Sequence, residues 1–183
     1  MNLTKTLRSF PDGMAHTGIR RIRGAALSLI VALCSSVPLT AHTQGASLPT
    51  AAQALEAYRV YMADPVNGLS RTQPFLDFIR GSGEIHIVLN EALVTWMYED
   101  HPPEMKAVLY AAFIGGNMAA QLEQHAIGSD DEAAARSLLA AYAALKQSAT
   151  PTTIPLLESL QQAAQAGRLA AAIADLEAVQ KSP

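Results

Sequence analysis

Residues 104–125, EMKAVLYAAFIGGNMAAQLEQH, constrain the fold of this chain more than any other stretch. They follow Pro102-Pro103, a helix start signal, and are long enough for about six helical turns. In the first half, apolar residues lie on every side of the helical wheel, and such a helix must be surrounded by other elements. These residues are Val108, Leu109, Ala111, Ala112, Phe113 and Ile114. We therefore predict a central core helix here.

The second half of this helix is more polar. Asn117, Gln121 and Gln124 recur at i, i+4 and i+7, which predicts one side facing water or a polar partner and makes the N-terminal half the buried end. Gly115-Gly116 costs about 1 kcal/mol per residue relative to alanine, which favours close packing of a neighbouring element there. The uncharged run 107–122 is shorter than the ~20 residues of a membrane span.

The N-terminal part of the chain has the three-part pattern of a secretory signal peptide. Arginines precede an apolar run at 24–33, and a segment ending on the small residue Ala41 follows. We predict cleavage after Ala41, or alternatively after Ala46, and export to the periplasm or the cell exterior. Residues 1–41 are then the signal peptide, and 42–49 a short flexible segment.

Signal removal changes what chemistry the chain can support. Cys34, the single cysteine, lies in the removed segment, so disulfides, thiolate catalysis and cysteine-ligated zinc are excluded. Five of the 13 basic residues and one of the 16 acidic residues leave with it, and the formal charge becomes −7. An acidic chain without a basic block is a poor ligand for nucleic acid. Because no metal or cofactor motif is present, we predict neither a metal nor a cofactor.

The remaining sequence predicts an all-α single domain over residues 50–181, with about five to seven helices around the central one. Besides the central helix, helical spacing and end signals predict helices at 51–64, 74–80, 91–100 and 130–146, and a C-terminal helical hairpin hinged at Gly167. Residues 84–89 alternate apolar and other residues as a strand does, but no second alternating run follows residue 41. We therefore expect either a short extended segment or an early start of the next helix.

We favour a non-enzymatic module that binds a protein or peptide partner, with self-association as a further option. Aromatic residues concentrate in the N-terminal half, and exposed aromatics supply binding energy. Our hypothesis is a groove near the irregular 64–74 loop. Its predicted lining is Arg59, Arg71, Arg80, Trp96 and Tyr98.

Two other functions remain open on the residues alone. Glu84 and His86 would share one side of a strand, and His125 lies at the polar end of the central helix, so a small hydrolase or lyase could use these three as catalytic residues. A carrier is the other alternative, because an alanine-lined core could hold a small apolar ligand.

Overall fold

The computed structural model describes residues 47–148 and 153–181. Within these ranges the chain forms six α-helices and no strand, and the predicted all-helical class is confirmed. The helices are α1 at Ala51–Ala63, α2 at Gln73–Gly81, α3 at Pro103–Gln124, α4 at Asp131–Lys146, α5 at Pro155–Gln165 and α6 at Leu169–Lys181. Three 3-10 turns lie at Leu69–Arg71, Glu91–Leu93 and Thr95–Tyr98. The predicted signal peptide, 1–41, and residues 42–46 lie outside the described residues.

Local side-chain bonds start the helices where the sequence places its cap residues. The Thr50 hydroxyl accepts from the backbone N–H of Gln53, and the Gln53 carboxamide accepts from the Thr50 N–H, which completes a capping box at α1. Asp130 caps α4 by accepting from the Ala133 N–H at 2.9 Å. These bonds fix the first turns of two helices that pack on α3.

Helix α3 is the most deeply enclosed helix of the described chain, and it packs most extensively on α4. Every residue from 111 to 121 is buried. The prediction that the N-terminal half is the buried end is wrong, because Asn117 and Gln121 are buried as well and only Gln124 of the polar stripe is exposed. Their polar atoms bond inside the protein, as described below.

The glycine pair in α3 allows two different neighbours to approach. A Cβ on Gly115 would lie 2.5 Å from the Tyr58 ring of α1, and one on Gly116 would lie 2.2 Å from the Ser137 hydroxyl of α4. Both distances are far inside van der Waals contact, so the predicted close packing is confirmed. The Tyr58 and Ser137 hydroxyls bond each other at 2.6 Å. Burial raises the pKa of Tyr58, and the bond to Ser137 offsets part of that rise.

The α-helix predicted over 91–100 is wrong. The chain forms two 3-10 turns there, separated at Val94, whose φ of −117° and ψ of 18° are not helical. Ala92, Leu93, Val94 and Trp96 are all buried. The amphipathic helix that the spacing predicts would bury one stripe only, whereas four of the five residues from 92 to 96 are buried. Tertiary burial therefore overrides the helical spacing in this stretch.

The C-terminal hairpin of α5 and α6 closes the domain. Gly167 has a φ of +68°, a conformation that suits glycine, and lies between the two helices as predicted. Leu157 and Leu160 of α5 and Leu169 and Ile173 of α6 are buried. None of the helices in the described ranges has the length and apolar character of a transmembrane span.

Candidate functional site

Residues 85–90 have no regular secondary structure, and Glu84 before them lies in a bend. Because exposure alternates along 84–89 and the Asn90 dihedrals are extended, we describe 84–90 as an extended segment between α2 and the second 3-10 turn. Ile85, Ile87 and Leu89 are half-buried and pack against the core. Glu84, His86 and Val88 alternate with them and are exposed. The strand-like alternation of the sequence is thus expressed as one apolar face and one solvent face, but without a neighbouring strand.

The side chain of Gln121 takes the place of that missing strand at His86. Its Oε1 accepts from the His86 N–H at 3.0 Å, and its Nε2 donates to the His86 carbonyl at 3.0 Å. This reciprocal pair is the pattern that two facing residues form in an antiparallel sheet. Gln121 Nε2 also donates to Asn117 Oδ1 at 2.7 Å, and Oε1 accepts from the Gly128 N–H at 3.3 Å. All the hydrogen-bonding capacity of its amide is used.

Ser129 repeats the arrangement two residues further along the segment. Its hydroxyl accepts from the Val88 N–H at 2.6 Å and donates to the Val88 carbonyl at 3.2 Å. Since Ser129 lies in the connection between α3 and α4, the helix pair holds the segment at both His86 and Val88. One side of the extended backbone is therefore bonded by side chains alone.

Asn90 anchors the end of the segment to two helices. Its Nδ2 donates to Asp131 Oδ2 of α4 at 2.7 Å and to Glu177 Oε1 of α6 at 2.8 Å. Its Oδ1 accepts from the Ala92 N–H at 3.1 Å, which caps the following 3-10 turn. Asn90 thus fixes where the extended segment stops.

Asn117 supports Gln121 from within the core. Its Oδ1 accepts from Gln121 and, at 3.4 Å, from the Asp130 N–H. Its Nδ2 and Asp131 Oδ1 are buried and find no hydrogen-bond partner within the part of the chain that the structure describes. An unpaired buried polar group costs about 1–3 kcal/mol. Asn117 and Asp131 therefore help to fix the position of the segment, at a cost to the free energy of folding.

The opposite side of the segment has no hydrogen-bond partner among residues 47–148 and 153–181. In an extended chain the N–H and C=O groups of alternate residues point to opposite sides. Those of Ile85, Ile87 and Leu89, which we call the open edge, form no hydrogen bond with any residue of the described ranges. No Lys, Arg, Asp, Glu or Pro occurs from 85 to 89. Charged residues and proline are what usually protect a free strand edge.

Two large apolar side chains are exposed in this region, one on the segment and one on the α3–α4 connection. Val88 is 57% exposed and Ile127 is 79% exposed. Ile127 lies two residues before Ser129, and two residues span at most about 7 Å. Ser129 bonds the Val88 backbone, so the connection that carries Ile127 adjoins the bonded side of the segment at Val88. We call these two side chains the apolar pair.

The predicted catalytic residues lie in this same neighbourhood. His86 is bonded to Gln121, and His125 ends the helix that carries Gln121, with a left-handed φ of 52°. However, no hydrogen bond or ion pair joins the side chains of Glu84, His86 and His125. In the part of the chain that the structure describes, no group of three His, Cys, Asp or Glu residues could hold a metal ion.

No hydrogen bond or ion pair joins any two of the five predicted partner-binding residues. Arg59 pairs with Glu123 of α3 at 3.4 Å, and Arg80 pairs with Asp77 of its own helix at 2.8 Å. Arg71 is exposed on the first 3-10 turn, and Tyr98 is 65% exposed on the third. Trp96 cannot line a groove, because it is completely buried and donates from its ring N–H to the Leu93 carbonyl at 3.0 Å. This aromatic belongs to the core.

A shallow groove of about 240 Å³ lies between α5 and α6. Leu160, Ala172, Leu176 and Val179 give it an apolar lining, beside Ser159 and Asp175. The carrier hypothesis places its ligand in the core, whereas this groove is at the surface of the C-terminal hairpin.

Sequence reasoning missed Gln121 and Ser129 as the residues that hold the extended segment. The polar stripe on α3 and the alternation over 84–89 were the available signals, but their connection joins residues 35 positions apart. The chain matches no protein-family model and shows no significant similarity to a curated protein or a solved structure.

Proposed function

We propose that this chain is a non-enzymatic module that binds a polypeptide partner along residues 84–90. The observation that carries the proposal is the open edge, an extended backbone that is bonded on one side and has no hydrogen-bond partner among the described residues on the other. Backbone pairing gives such an edge affinity for an extended chain, and neighbouring side chains give it selectivity. The apolar pair supplies those side chains.

The proposal includes export, as the N-terminal sequence predicts, so the partner is met in the periplasm or outside the cell. N-terminal sequencing of the protein from the exported fraction is expected to begin at His42. A chain that retains residues 1–41 and stays in the cytoplasm contradicts this part of the proposal.

Site-specific photo-crosslinking tests the binding surface in the cells that make the protein. A photoreactive amino acid at Val88 is expected to give an adduct with a polypeptide, which mass spectrometry identifies. The matched control carries the same group at Ala140, which is exposed on α4. Ile127→Glu is expected to weaken the adduct at position 88. Absence of any polypeptide adduct at Val88, or equal adducts at both positions, overturns the proposal.

A further inference from the structure

The loop between α1 and the first 3-10 turn contains the dipeptide Asn67-Gly68, which can modify itself chemically. Asparagine is a thermolabile residue, because the backbone nitrogen of the next residue can attack its side-chain amide. Glycine in the next position favours this attack, since it has no side chain to hinder the approach and adopts a wide range of backbone angles. Asn67 is exposed, so the water that completes the reaction reaches its side chain.

The structure restrains the reactive amide. Asn67 Nδ2 donates to both carboxylate oxygens of Asp64, at 3.2 Å to Oδ1 and 3.1 Å to Oδ2, and the Asn67 N–H donates to Oδ1 at 3.3 Å. Asp64 is itself fixed at the end of α1, where its N–H donates to the Tyr61 carbonyl at 3.1 Å. Attack requires the carboxamide to rotate until Cγ faces the Gly68 nitrogen, and three bonds to one carboxylate oppose that rotation.

The backbone of Gly68 has little room to move. Gly68 is buried, and a Cβ on it would lie 2.6 Å from the Asp64 carbonyl oxygen and 3.1 Å from the Tyr61 ring. Its own carbonyl accepts from the Arg71 N–H at 2.8 Å, which begins the first 3-10 turn. The rotation that would bring the Gly68 nitrogen onto the Asn67 side chain is therefore restricted while the loop is closed.

We infer that Asn67 is a site of spontaneous deamidation and that its bonds to Asp64 set the rate. The Gly68 nitrogen bonds to Asn67 Cγ and gives up its proton, and the Cγ–Nδ2 bond breaks as Nδ2 takes up a proton and leaves as ammonia. Water then opens either carbonyl of the resulting succinimide ring, which gives aspartate or isoaspartate at position 67. The inference does not depend on the partner proposed for residues 84–90.

The product changes the loop irreversibly. A carboxylate at position 67 has no proton to donate to Asp64, so two like charges face each other where a donor faced an acceptor. Isoaspartate also lengthens the backbone, in a turn where Gly68 is already packed against Asp64 and Tyr61. Either product favours the open loop. The amide of Arg71, which bonds the Gly68 carbonyl, should then lose protection from hydrogen exchange.

Peptide mapping by mass spectrometry measures deamidation at Asn67 while the full protein is incubated at neutral pH. Incubation in urea that unfolds the protein gives the rate of the open chain. Because the folded rate is the open-chain rate multiplied by the fraction of open loops, the folded wild type should react at least about tenfold more slowly than the unfolded one. Asp64→Ala should accelerate the folded reaction about tenfold, since it removes every bond to the carboxylate, and should change nothing in urea.

Two further variants separate the role of Asp64 from a general loss of charge or fold. Asp64→Asn retains one acceptor oxygen, so an intermediate rate is expected, and it creates no second reactive pair because the proline that follows has no N–H. It replaces Asp64→Ala if circular dichroism shows that the alanine variant is unfolded. Glu56→Ala removes an exposed carboxylate from α1 and should leave the rate unchanged.

Three results would overturn the inference. They are the absence of deamidation at Asn67 in urea, equal rates in the folded and unfolded wild type, and a folded Asp64 variant that reacts no faster than the wild type. Hydrogen exchange of the deamidated protein tests the effect on the loop. An Arg71 amide that is as protected after modification as before it contradicts the opening of the loop.

Discussion

The α3–α4 pair and the stretch 84–98 differ in how their backbone N–H and C=O groups are hydrogen-bonded. Within α3 and α4 the backbone bonds are internal to each helix, and the two helices meet through small residues such as Gly116 and Ser137. Between 84 and 98 the chain has only short 3-10 turns, and side chains from distant elements bind its backbone. Gln121 and Ser129 each bond two backbone groups there, and Lys106 bonds the Met97 carbonyl.

This difference separates the helical support from the segment that we propose binds a partner. A helix leaves no unpaired backbone along its length, so it offers partners only side chains. The extended segment is held on one side, and the donors and acceptors of its other side have no partner among the described residues. The rigid helix pair therefore serves as the support, and the segment it holds presents the candidate surface.

Trp96→Ala tests how strongly the 84–98 stretch is tied to the core, and it has the largest expected effect. Trp96 is fully buried and its ring N–H is bonded, so truncation is expected to cost about 3–5 kcal/mol in the free energy of unfolding. Urea unfolding measures this cost. Tyr98→Ala is the matched control two residues away, and an effect below about 0.5 kcal/mol is expected because Tyr98 is exposed. Similar costs for both would remove the distinction between core and surface in this stretch.

Gly116→Ala tests the close approach within the helix pair. The added Cβ meets Ser137 and lies 3.0 Å from the Ala133 carbonyl, so overpacking should exceed the gain in helix propensity and destabilise by about 1–3 kcal/mol. The double variant with Ser137→Gly removes the clashing side chain. Its unfolding free energy should fall by less than the sum of the two single changes, and simple additivity would show that the helices do not meet at this point.

Gln121→Met tests whether one side chain holds the extended segment. The substitution keeps the length of the side chain and removes bonds to His86, Asn117 and Gly128, and a cost of about 1–3 kcal/mol is expected. Amide exchange should accelerate at His86 while the α3–α4 amides follow global unfolding only. Gln124→Met, one turn nearer the helix end and exposed, is the control. Unchanged exchange at His86 would mean that the segment is held by its apolar face instead.

The sequence predicted what depends on local periodicity. It predicted α1, α2, α4 and the C-terminal hairpin, because cap residues and apolar spacing act within a few positions. It also predicted the close packing at Gly115-Gly116. The helix over 91–100 was wrong, because the burial of Val94 and Trp96 depends on elements distant in the chain. For the site, the sequence predicted the strand-like alternation at 84–89 and the polar stripe on α3, but not the contact between them. The bonds from Gln121 and Ser129 to the segment span 35 and 41 residues, which local patterns do not reveal.

The salt bridge between Lys146 of α4 and Glu158 of α5 lies at the protein surface, and its removal has the smallest expected effect on stability. Glu158 of α5 accepts from Lys146 Nζ at 2.7 Å and from the Tyr142 hydroxyl at 2.8 Å. Lys146 contributes most to holding the pKa of Glu158 below its ordinary value of 4.5, and Tyr142 adds to it. Since the folded pKa is the lower one, the stabilisation is complete above about pH 4.5 and is lost as pH falls through the folded pKa.

Unfolding free energies of the wild type and Lys146→Met, measured from pH 7 to pH 3, should therefore converge at the acid end. Glu158→Gln should do the same, because it removes the titrating group. Tyr142→Phe should instead keep most of its cost at every pH, because it leaves the buried Ile154 N–H without its acceptor. If Lys146→Met is equally destabilised from pH 7 down to pH 3, Lys146 stabilises the protein by packing along the hairpin and not through its charge. The contact of Lys146 would then be a packing contact like those between the buried helices. Only the 84–98 stretch would then depend on specific polar bonds between distant elements.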